Sequence, residues 1–438
     1  PSTPPPLVVG NCHQFVTFFF GVSIQGGATS GASALFTDYE LQQQFKDSRC
    51  TAVLCDLPHL KKVQKAVEGS DTIKTIVVVG ATKGHGTTGS PKGVMLTHRN
   101  FVAMCTIFVK WLHRMYDLEP WYRVDWYRNS MLLFLPFYHI YGFGMICHSI
   151  LEASTTVVLS GFDPNLFCAC IEKYKICQIN IVPPILVFLT KSPICAKYDL
   201  SSLKKISTGA APAGKDLCDE AKRKYPHITR LEQGYGMTEV SMASHLPNPQ
   251  SRAKFGCVGK LAAGLLMKIV NVETGEELSP GKAGEICIKG PTVMKGYLGR
   301  PEATRETIRE GWLHTGDIGY NDADGDLFIV DRLKELIKVK GLQVPPAELE
   351  DLLLSHSRIA DCAVIGVPDK DAGELPKAYV VRADPKLTEK EVFNYVAEKV
   401  SKYKHLHGGI EFIDIIPKSA SGKILRKELR AKNNKAKI

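Results

Sequence analysis

Between residues 73 and 246, short apolar runs rich in β-branched residues alternate with helix-like stretches, the rhythm of a sheet wound by βαβ units. Candidate strands fall at 73–79, 131–135, 155–159, 176–182, 204–207 and 228–231, with candidate helices at 100–115, 164–175 and 214–225. In such sheets functional residues gather at the strand ends. After Pro247 the texture changes to hairpins: segments 268–272 and 285–289 flank Glu273-Thr274-Gly275-Glu276, and Asp322-Ala323-Asp324-Gly325 joins two further short strands. Beyond Arg332 comes a third texture. A helix is entered at Pro345-Pro346 and runs over 348–354, a strand covers 360–367, and Thr388-Glu389-Lys390-Glu391 reads as a capping box opening another helix. The expected fold is α/β. It has a large N-terminal domain over 1–332, whose βαβ sheets are followed by a small β-barrel-like subdomain over about 247–332, and a small mobile α+β lid over 333–438.

At 438 residues, more than one domain is expected. No run of eighteen apolar residues suggests a membrane span, and the opening PSTPPPLVVGN has neither an initiator Met nor a basic signal-peptide start, so the chain reads as a fragment or as one begun late. The thirteen cysteines are scattered and odd in number, which favours a reducing compartment over a disulfide framework. Cys168-Ala169-Cys170 lacks a second ligand pair at zinc spacing and reads as helix with buried thiols. The net charge is +10, with lysines concentrated from Lys423 to Lys437 without interleaved aromatics, which argues for a solvated tail or help with a small polyanionic ligand rather than nucleic acid.

Several blocks carry chemistry. GHGTTGSPKGV (84–94) is a Gly/Thr loop after the β-branched run 75–79, an arrangement that turns N–H groups and hydroxyls towards phosphate oxygens. It is not the P-loop of nucleotide triphosphatases, which needs Lys and then Ser/Thr directly after the second glycine, where this chain has Ser90-Pro91-Lys92. What remains are the hydroxyls of Thr87 and Thr88, the turn at Gly89 and the charge of Lys92. LEQGYGMTE (231–239) ends in Glu239, a carboxylate suited to a hard cation.

Together GHGTTGSPKGV, LPFYHIYGF (135–143), STGAAPAG (207–214), EQGYGMTE, WLHTGD (312–317), DRLKELIKVKG (331–341) and PKSASGK (417–423) resemble the adenylate-forming, AMP-binding superfamily of acyl-CoA synthetases. The similarity is greatest to its coumarate CoA ligase and luciferase branches, and runs over nearly the whole chain. The resemblance implies a two-step reaction with ATP, Mg²⁺ and coenzyme A: a carboxylate attacks the α-phosphate to give acyl-AMP and pyrophosphate, then the thiol expels AMP. It implies nucleotide contacts from Thr87, Thr88, Gly89, Lys92, Gly209, Ala210, Ala211, Gln233, Gly234, Tyr235, Gly236, Thr238, Asp317 and Arg332. Glu239 would hold the metal and Lys423 the charge that builds at the transition state, with Thr238 and His139 beside the reacting groups. His139, Tyr141, Gly209, Gly234, Met242 and Ala243 would line the acyl pocket. Lys338, Lys340 and Gly341 would serve coenzyme A, and Lys334 the hinge of a lid used by both half-reactions in turn.

The chain also departs from that pattern. Gly84 and His85 stand where relatives usually carry serines and Ser90 where an apolar residue is common, leaving pyrophosphate to Thr87, Thr88 and Lys92. Val339 replaces a common aromatic and Pro345 a common alanine. By the resemblance, roughly a hundred residues of the first subdomain would precede this sequence. Two other readings are open: a luciferase-like monooxygenase sharing the adenylation step, and a non-catalytic nucleotide or acyl-CoA binding fragment. The terminal Ala436-Lys437-Ile438 is akin to a peroxisomal address without matching it, so peroxisome and cytoplasm both stand.

Overall fold

The computed structural model of the chain describes all residues except 1–5, 9, 25–26, 35, 71, 74, 80–92, 119–129, 250–253, 255, 341, 420–422 and 436–438. The first sheet is parallel, with β1 (Pro6–Val8), β2 (Ser30–Gly31), β3 (Ala52–Asp56) and β4 (Thr75–Val79) in the order β2-β1-β3-β4. It is flanked by α1 (His13–Ile24), α2 (Asp38–Ser48) and α3 (Leu60–Val67). α2 starts on a reciprocal cap: Glu40 N donates to Thr37 Oγ1 (3.2 Å) and Thr37 N to Glu40 Oε2 (2.8 Å). The strand expected at 73–79 therefore closes this first sheet instead of joining the other candidates. Periodicity marks a strand but not its neighbours, which here are fixed by the pairing of β4 with β3.

A short strand β5 (Val94–Met95) pairs antiparallel with Gly296–Tyr297. The second parallel sheet follows, from β6 (Ser130–Leu133), β7 (Thr155–Val158), β8 (Gln178–Ile181), β9 (Lys205–Thr208) and β10 (Arg230–Gln233), in the order β10-β9-β8-β6-β7. Its helices are α4 (His98–Leu118), α5 (Ile140–Leu151), α6 (Pro164–Tyr174), α7 (Pro183–Lys191) and α8 (Lys215–Lys224). α6 begins where Asp163 accepts from Leu166 N (2.7 Å) with Pro164 at its first position, and buries Cys168 and Cys170. One face of the sheet is apolar: Ile179, Ile206 and Leu231 lie side by side and pack on Phe167, Ile171, Leu186 and Leu217. Met131 and Leu133 of β6 pack with Leu7 and Leu54, joining the two parallel sheets through one core.

The opposite face of β8, β9 and β10 is polar, although buried parallel strands usually read as continuous apolar runs. Gln178, Lys205 and Arg230 form one row across the strands and Asn180, Ser207 and Glu232 the next. Alternation along QINI, KIST and RLEQ sends these residues inward together.

The hairpin region forms an antiparallel sheet of Leu266–Val270, Gly284–Lys289, Trp312–Asn321 and Ile308–Arg309, with Leu327–Arg332 paired to Trp312–Asn321. Ile286, Ile288, Leu313 and Leu327 are its core. The terminal residues build a further sheet from Leu342–Val344, Ile337–Val339, Gly373–Arg382 and Ile359–Asp369, with Gly409–Phe412 added in parallel. The helix Pro346–Leu354 lies against it, and Glu389–Ala397 opens on the Thr388/Glu391 capping box. Asp331 ties the two regions: its carboxylate accepts from Arg332 N (2.6 Å) and from Ala347 N (3.0 Å) at the start of the helix Pro346–Leu354. In that helix Glu350 is buried and bonded to Arg426 Nη2 (2.6 and 2.7 Å) and Val364 N (2.8 Å).

Candidate active site

The chain leaves β10 in a loop that crosses itself. Tyr235 N donates to His245 O (3.3 Å) and His245 N returns a bond to Tyr235 O (3.1 Å), so the segment folds into a narrow hairpin. Gly236 sits where the two limbs touch, and a Cβ there would lie 1.8 Å from Met242 O. Between the limbs come the short turn Thr238–Val240 and two residues with positive φ, Ser241 at 56° and Met242 at 105°. Met242 at that angle is strained backbone of the sort held only by surrounding contacts. Its side chain fills the space left by Gly144 of α5, where a Cβ would come within 1.6 Å of the Met242 sulfur.

Around this loop lies a cavity of about 640 Å³. Its walls take Gly234, Tyr235, Gly236, Thr238, Glu239, Met242 and Ala243 from the loop, His139 and Tyr141 from the start of α5, and Gly209 and Ala210 from the end of β9. Asp317, Arg332, Lys334 and Lys423 complete it. Residues separated by almost three hundred positions thus meet in one space.

Asp317 and Arg332 are register partners in the antiparallel sheet, with Arg332 Nε 3.5 Å from Asp317 Oδ1. Gly316 turns the chain at φ 71°, and Glu285 Oε1 accepts its N–H (3.1 Å). Tyr235 Oη donates to Asp317 Oδ2 (2.7 Å). Burial pushes the Asp317 carboxyl above the usual carboxylate range, opposed by Arg332, Tyr235 and Lys423. Burial and the nearby Asp317 carboxyl likewise hold the Tyr235 phenol protonated well beyond neutral pH. The result is an oriented acceptor in a low-dielectric wall, the kind of group that takes ligand hydroxyls.

Lys423 enters from the terminal region. Its N–H donates to Ser419 Oγ (3.1 Å), and Ser419 N donates to Lys423 O (2.8 Å), two bonds that fix the Lys423 backbone, and the residue lines the cavity. Burial lowers its pKa, with Arg332 and Lys334 adding repulsion while Asp317 and Glu239 oppose it. His139 caps α5, its Nδ1 accepting from Tyr141 N (3.2 Å), which leaves Nε2 to carry the proton of the neutral ring. Burial, reinforced by Lys423, brings His139 down to about 4. Tyr141 Oη reaches Ser207 O (3.3 Å), and burial pushes its phenol up.

Glu239 is held by Tyr297 Oη, which donates to Oε1 (2.9 Å), and its backbone carbonyl accepts from Met294 N (2.8 Å). Glu239 lines the same cavity as Asp317 and Lys423, and its carboxylate is a hard oxygen donor fit for a divalent cation.

Two residues expected at the nucleotide wall do not line it. Gln233 is spent on its neighbour loop: Oε1 accepts from Ala213 N (3.0 Å) and Nε2 donates to Ala213 O (3.1 Å). That clamp fixes the loop carrying Gly209 and Ala210, while Ala211 lies outside the wall. Lys338 and Lys340 also lie outside the cavity, exposed on and after the strand Ile337–Val339. Thr87, Thr88, Gly89, Lys92 and Gly341 fall outside the described residues.

Sequence reasoning missed the other end of the cavity, walled by Phe108, Trp111, Met145, His148, Gln178, Asn180, Lys205 and Ser207. The signal was present in the alternation of polar and apolar residues along β8 to β10.

The family profile described as AMP-binding enzyme matches residues 86–298, and that of the AMP-binding enzyme C-terminal domain matches 348–423. A 4-coumarate–CoA ligase 2 of Nicotiana tabacum is 40% identical, covering 97% of this chain and 84% of its own length. A 4-coumarate–CoA ligase 1 of Petroselinum crispum is 39% identical with the same coverage. Among solved structures, the o-succinylbenzoate CoA synthetase MenE of Bacillus subtilis with the acyl-adenylate OSB-AMP superposes with a TM-score of 0.80 at 27% identity, covering 98% of this chain and 88% of that one. ATP-bound MatB from Rhodopseudomonas palustris shares the fold at a TM-score of 0.85 and 24% identity, over 98% of this chain and 88% of that one. Profiles, relatives and the cavity's assembly from both matched regions agree, and the chain belongs to the AMP-binding enzyme family.

Proposed function

We propose that the protein is an AMP-forming acid–thiol ligase that makes an acyl-CoA from a carboxylic acid, ATP and coenzyme A. In the first half-reaction a carboxylate oxygen forms a bond to the α-phosphorus as the bond to the β-phosphate oxygen breaks and pyrophosphate leaves. In the second, the sulfur of coenzyme A bonds the acyl carbon, the bond to AMP breaks, and the thiol proton passes to solvent. The observation that carries this reading is that Lys423 shares one cavity with Asp317, Glu239 and His139.

Each residue then has a task its surroundings suit. Asp317, oriented by Tyr235 and Arg332, takes the ribose hydroxyls, and Tyr235 offers its ring to adenine. Thin walls at Gly209 and Ala210 leave room for the base, and Thr238 meets the α-phosphate. Lys423, a partly desolvated ammonium, neutralises charge where carboxylate and phosphate meet. His139 is neutral at working pH, so it orients the acid through Nε2 without adding a second cation. Glu239 suits Mg²⁺, which would supply charge compensation to the phosphates. Lys338, Lys340 and Gly341 are assigned to coenzyme A. Lys423 faces the cavity while Lys338 and Lys340 face solvent, which favours a terminal module that turns between half-reactions, with Lys334 at the hinge.

Exchange of labelled pyrophosphate into ATP, run over a panel of carboxylic acids, tests the first step, and AMP release dependent on coenzyme A tests the second. Absence of exchange with every acid, in folded protein that binds ATP, would overturn the ligase reading.

A further inference from the structure

The cavity continues past His139 and Tyr141 to an end walled by His148, Gln178, Asn180 and Lys205. Two elements measure its depth alike: His139 to His148 is roughly 13 Å of helix, and Lys205 to Gly209 is about 13 Å of strand. That end is buried, with Gln178 2% exposed, Lys205 4% and His148 5%.

Most polar groups there are engaged. Lys205 Nζ lies 3.7 Å from Glu232 Oε2 and 4.4 Å above the Trp111 ring, and Arg230 pairs with the same Glu232. Gln178 Nε2 donates to Glu152 Oε2 (3.3 Å). His148 differs. Neither ring nitrogen makes a hydrogen bond within the protein, although Nε2 lies 3.4 Å from Glu152 Oε1. Burial lowers its pKa, aided by Lys205 and opposed by Glu152. The ring is therefore neutral, with one donor and one acceptor nitrogen in a place where buried polar atoms need partners.

This arrangement sorts acids by their far end. An alkyl terminus would desolvate His148 without pairing it, and sites built for a hydrogen bond reject analogues that lack one. A second carboxylate fares no better: Lys205 and Arg230 both pair with Glu232, and Glu152 already stands beside His148, so it would bring a third anion to two cations as an uncompensated buried charge. A neutral hydroxyl or carbonyl oxygen meets both conditions.

Resting on the ligase reading above, we propose that His148 is the specificity-determining residue for the distal end of the acid. It favours acids ending in a neutral hydroxyl or carbonyl oxygen over length-matched acids ending in hydrogen or carboxylate. Neither relatives' names nor the motifs of the nucleotide side assign it that role.

The test is pyrophosphate exchange with two scaffolds, phenylpropanoate and nonanoate, each bearing hydrogen, hydroxyl or carboxylate at the far end. On the scaffold that is turned over, the hydroxyl form is expected to exceed the hydrogen form in kcat/KM by roughly tenfold or more, mainly through KM, with the carboxylate form poorest. His148→Leu should bring the ratio of hydroxyl to hydrogen forms close to unity, and His148→Gln, which keeps a donor and an acceptor, should restore part of it. The thermal unfolding midpoint of each variant reports its folding. Equal use of the three ends by the unaltered protein, or a hydroxyl preference that survives His148→Leu, overturns this proposal and leaves the ligase reading intact. Exchange with none of the acids overturns both.

Discussion

Tyr235 Oη donates a 2.7 Å hydrogen bond to Asp317 Oδ2, and through it the loop after the last parallel strand is locked to the antiparallel sheet. Neither residue is informative alone, since a glycine-flanked aspartate is ordinarily a turn residue and a tyrosine ordinarily packing. Joined, they make a wall with a fixed ring and a fixed carboxylate. Asp317→Asn should therefore weaken nucleotide use by roughly 10- to 100-fold, matching about 1.5–3 kcal/mol for a hydrogen bond to a charged group. Steady-state kinetics should show the loss chiefly in the KM for ATP; an unchanged KM would remove Asp317 from the nucleotide wall.

Lys423→Ala removes one of the two cations, with Lys334, that residues 333–438 bring to the cavity wall among the described residues. Adenylation should fall by at least about a hundredfold, equivalent to some 3 kcal/mol of transition-state stabilisation. Thioesterification of supplied acyl-AMP should persist. Equal loss in both half-reactions would argue against a charge role confined to the first.

Glu350 holds Arg426, three positions from Lys423, in a buried pair. Cutting it with Glu350→Ala strands the guanidinium, a change that costs about 3–5 kcal/mol when one partner of a buried pair is removed. The urea midpoint of the terminal module should drop, and adenylation with it. Restoring stability with excess ligand should recover only the activity lost to unfolding.

His139 and His245 are held by burial at about 4 and about 3, below the ordinary 6.5. In the unfolded chain both take up protons near 6.5, whereas in the folded protein they do not. Their neutrality thus favours folding above pH 6.5, and the benefit is lost as pH falls towards 4 and then 3. Unfolding midpoints measured from pH 7 to 4 should decline accordingly. In Lys423→Ala the His139 resonance should titrate at higher pH, because a repelling charge is gone; an unmoved titration would separate the two side chains.

Gly236→Ala places a methyl against Met242 O, a contact no rotamer can relieve because both atoms belong to backbone or Cβ. Overpacking of this type costs typically 1–3 kcal/mol, so the unfolding midpoint should fall and turnover should collapse. Gly264→Ala, with open space but φ 81°, supplies a control for backbone strain alone.

Much of the cavity wall was legible because its motifs are local: EQGYGMTE and WLHTGD set candidate side chains beside glycines or hydroxyls in sequence, and PKSASGK ends in Lys423, which lines the same cavity. The Thr388/Glu391 cap was readable for the same reason. What stayed hidden depends on pairing across distance. Nothing local says that Gln233 turns back onto Ala213, that the run 75–79 joins β3, or that Tyr235 meets His245. The polar rows of β8 to β10 lay in plain alternation, but four-residue strands in a parallel sheet are expected to be apolar on both faces, and that expectation masked them.

The self-crossing at Gly236 and Met242 has a further consequence. One limb of that short loop carries Tyr235, proposed to face adenine, and the other carries Met242 and Ala243, proposed to face the acid, with no slack between them at Gly236 and Met242. Enlarging or shrinking one chamber by substitution in this stretch must strain the other, so acid preference and ATP affinity are expected to drift together under mutation there. Freedom to evolve new acid selectivity therefore resides in the strands and α5, away from the crossing.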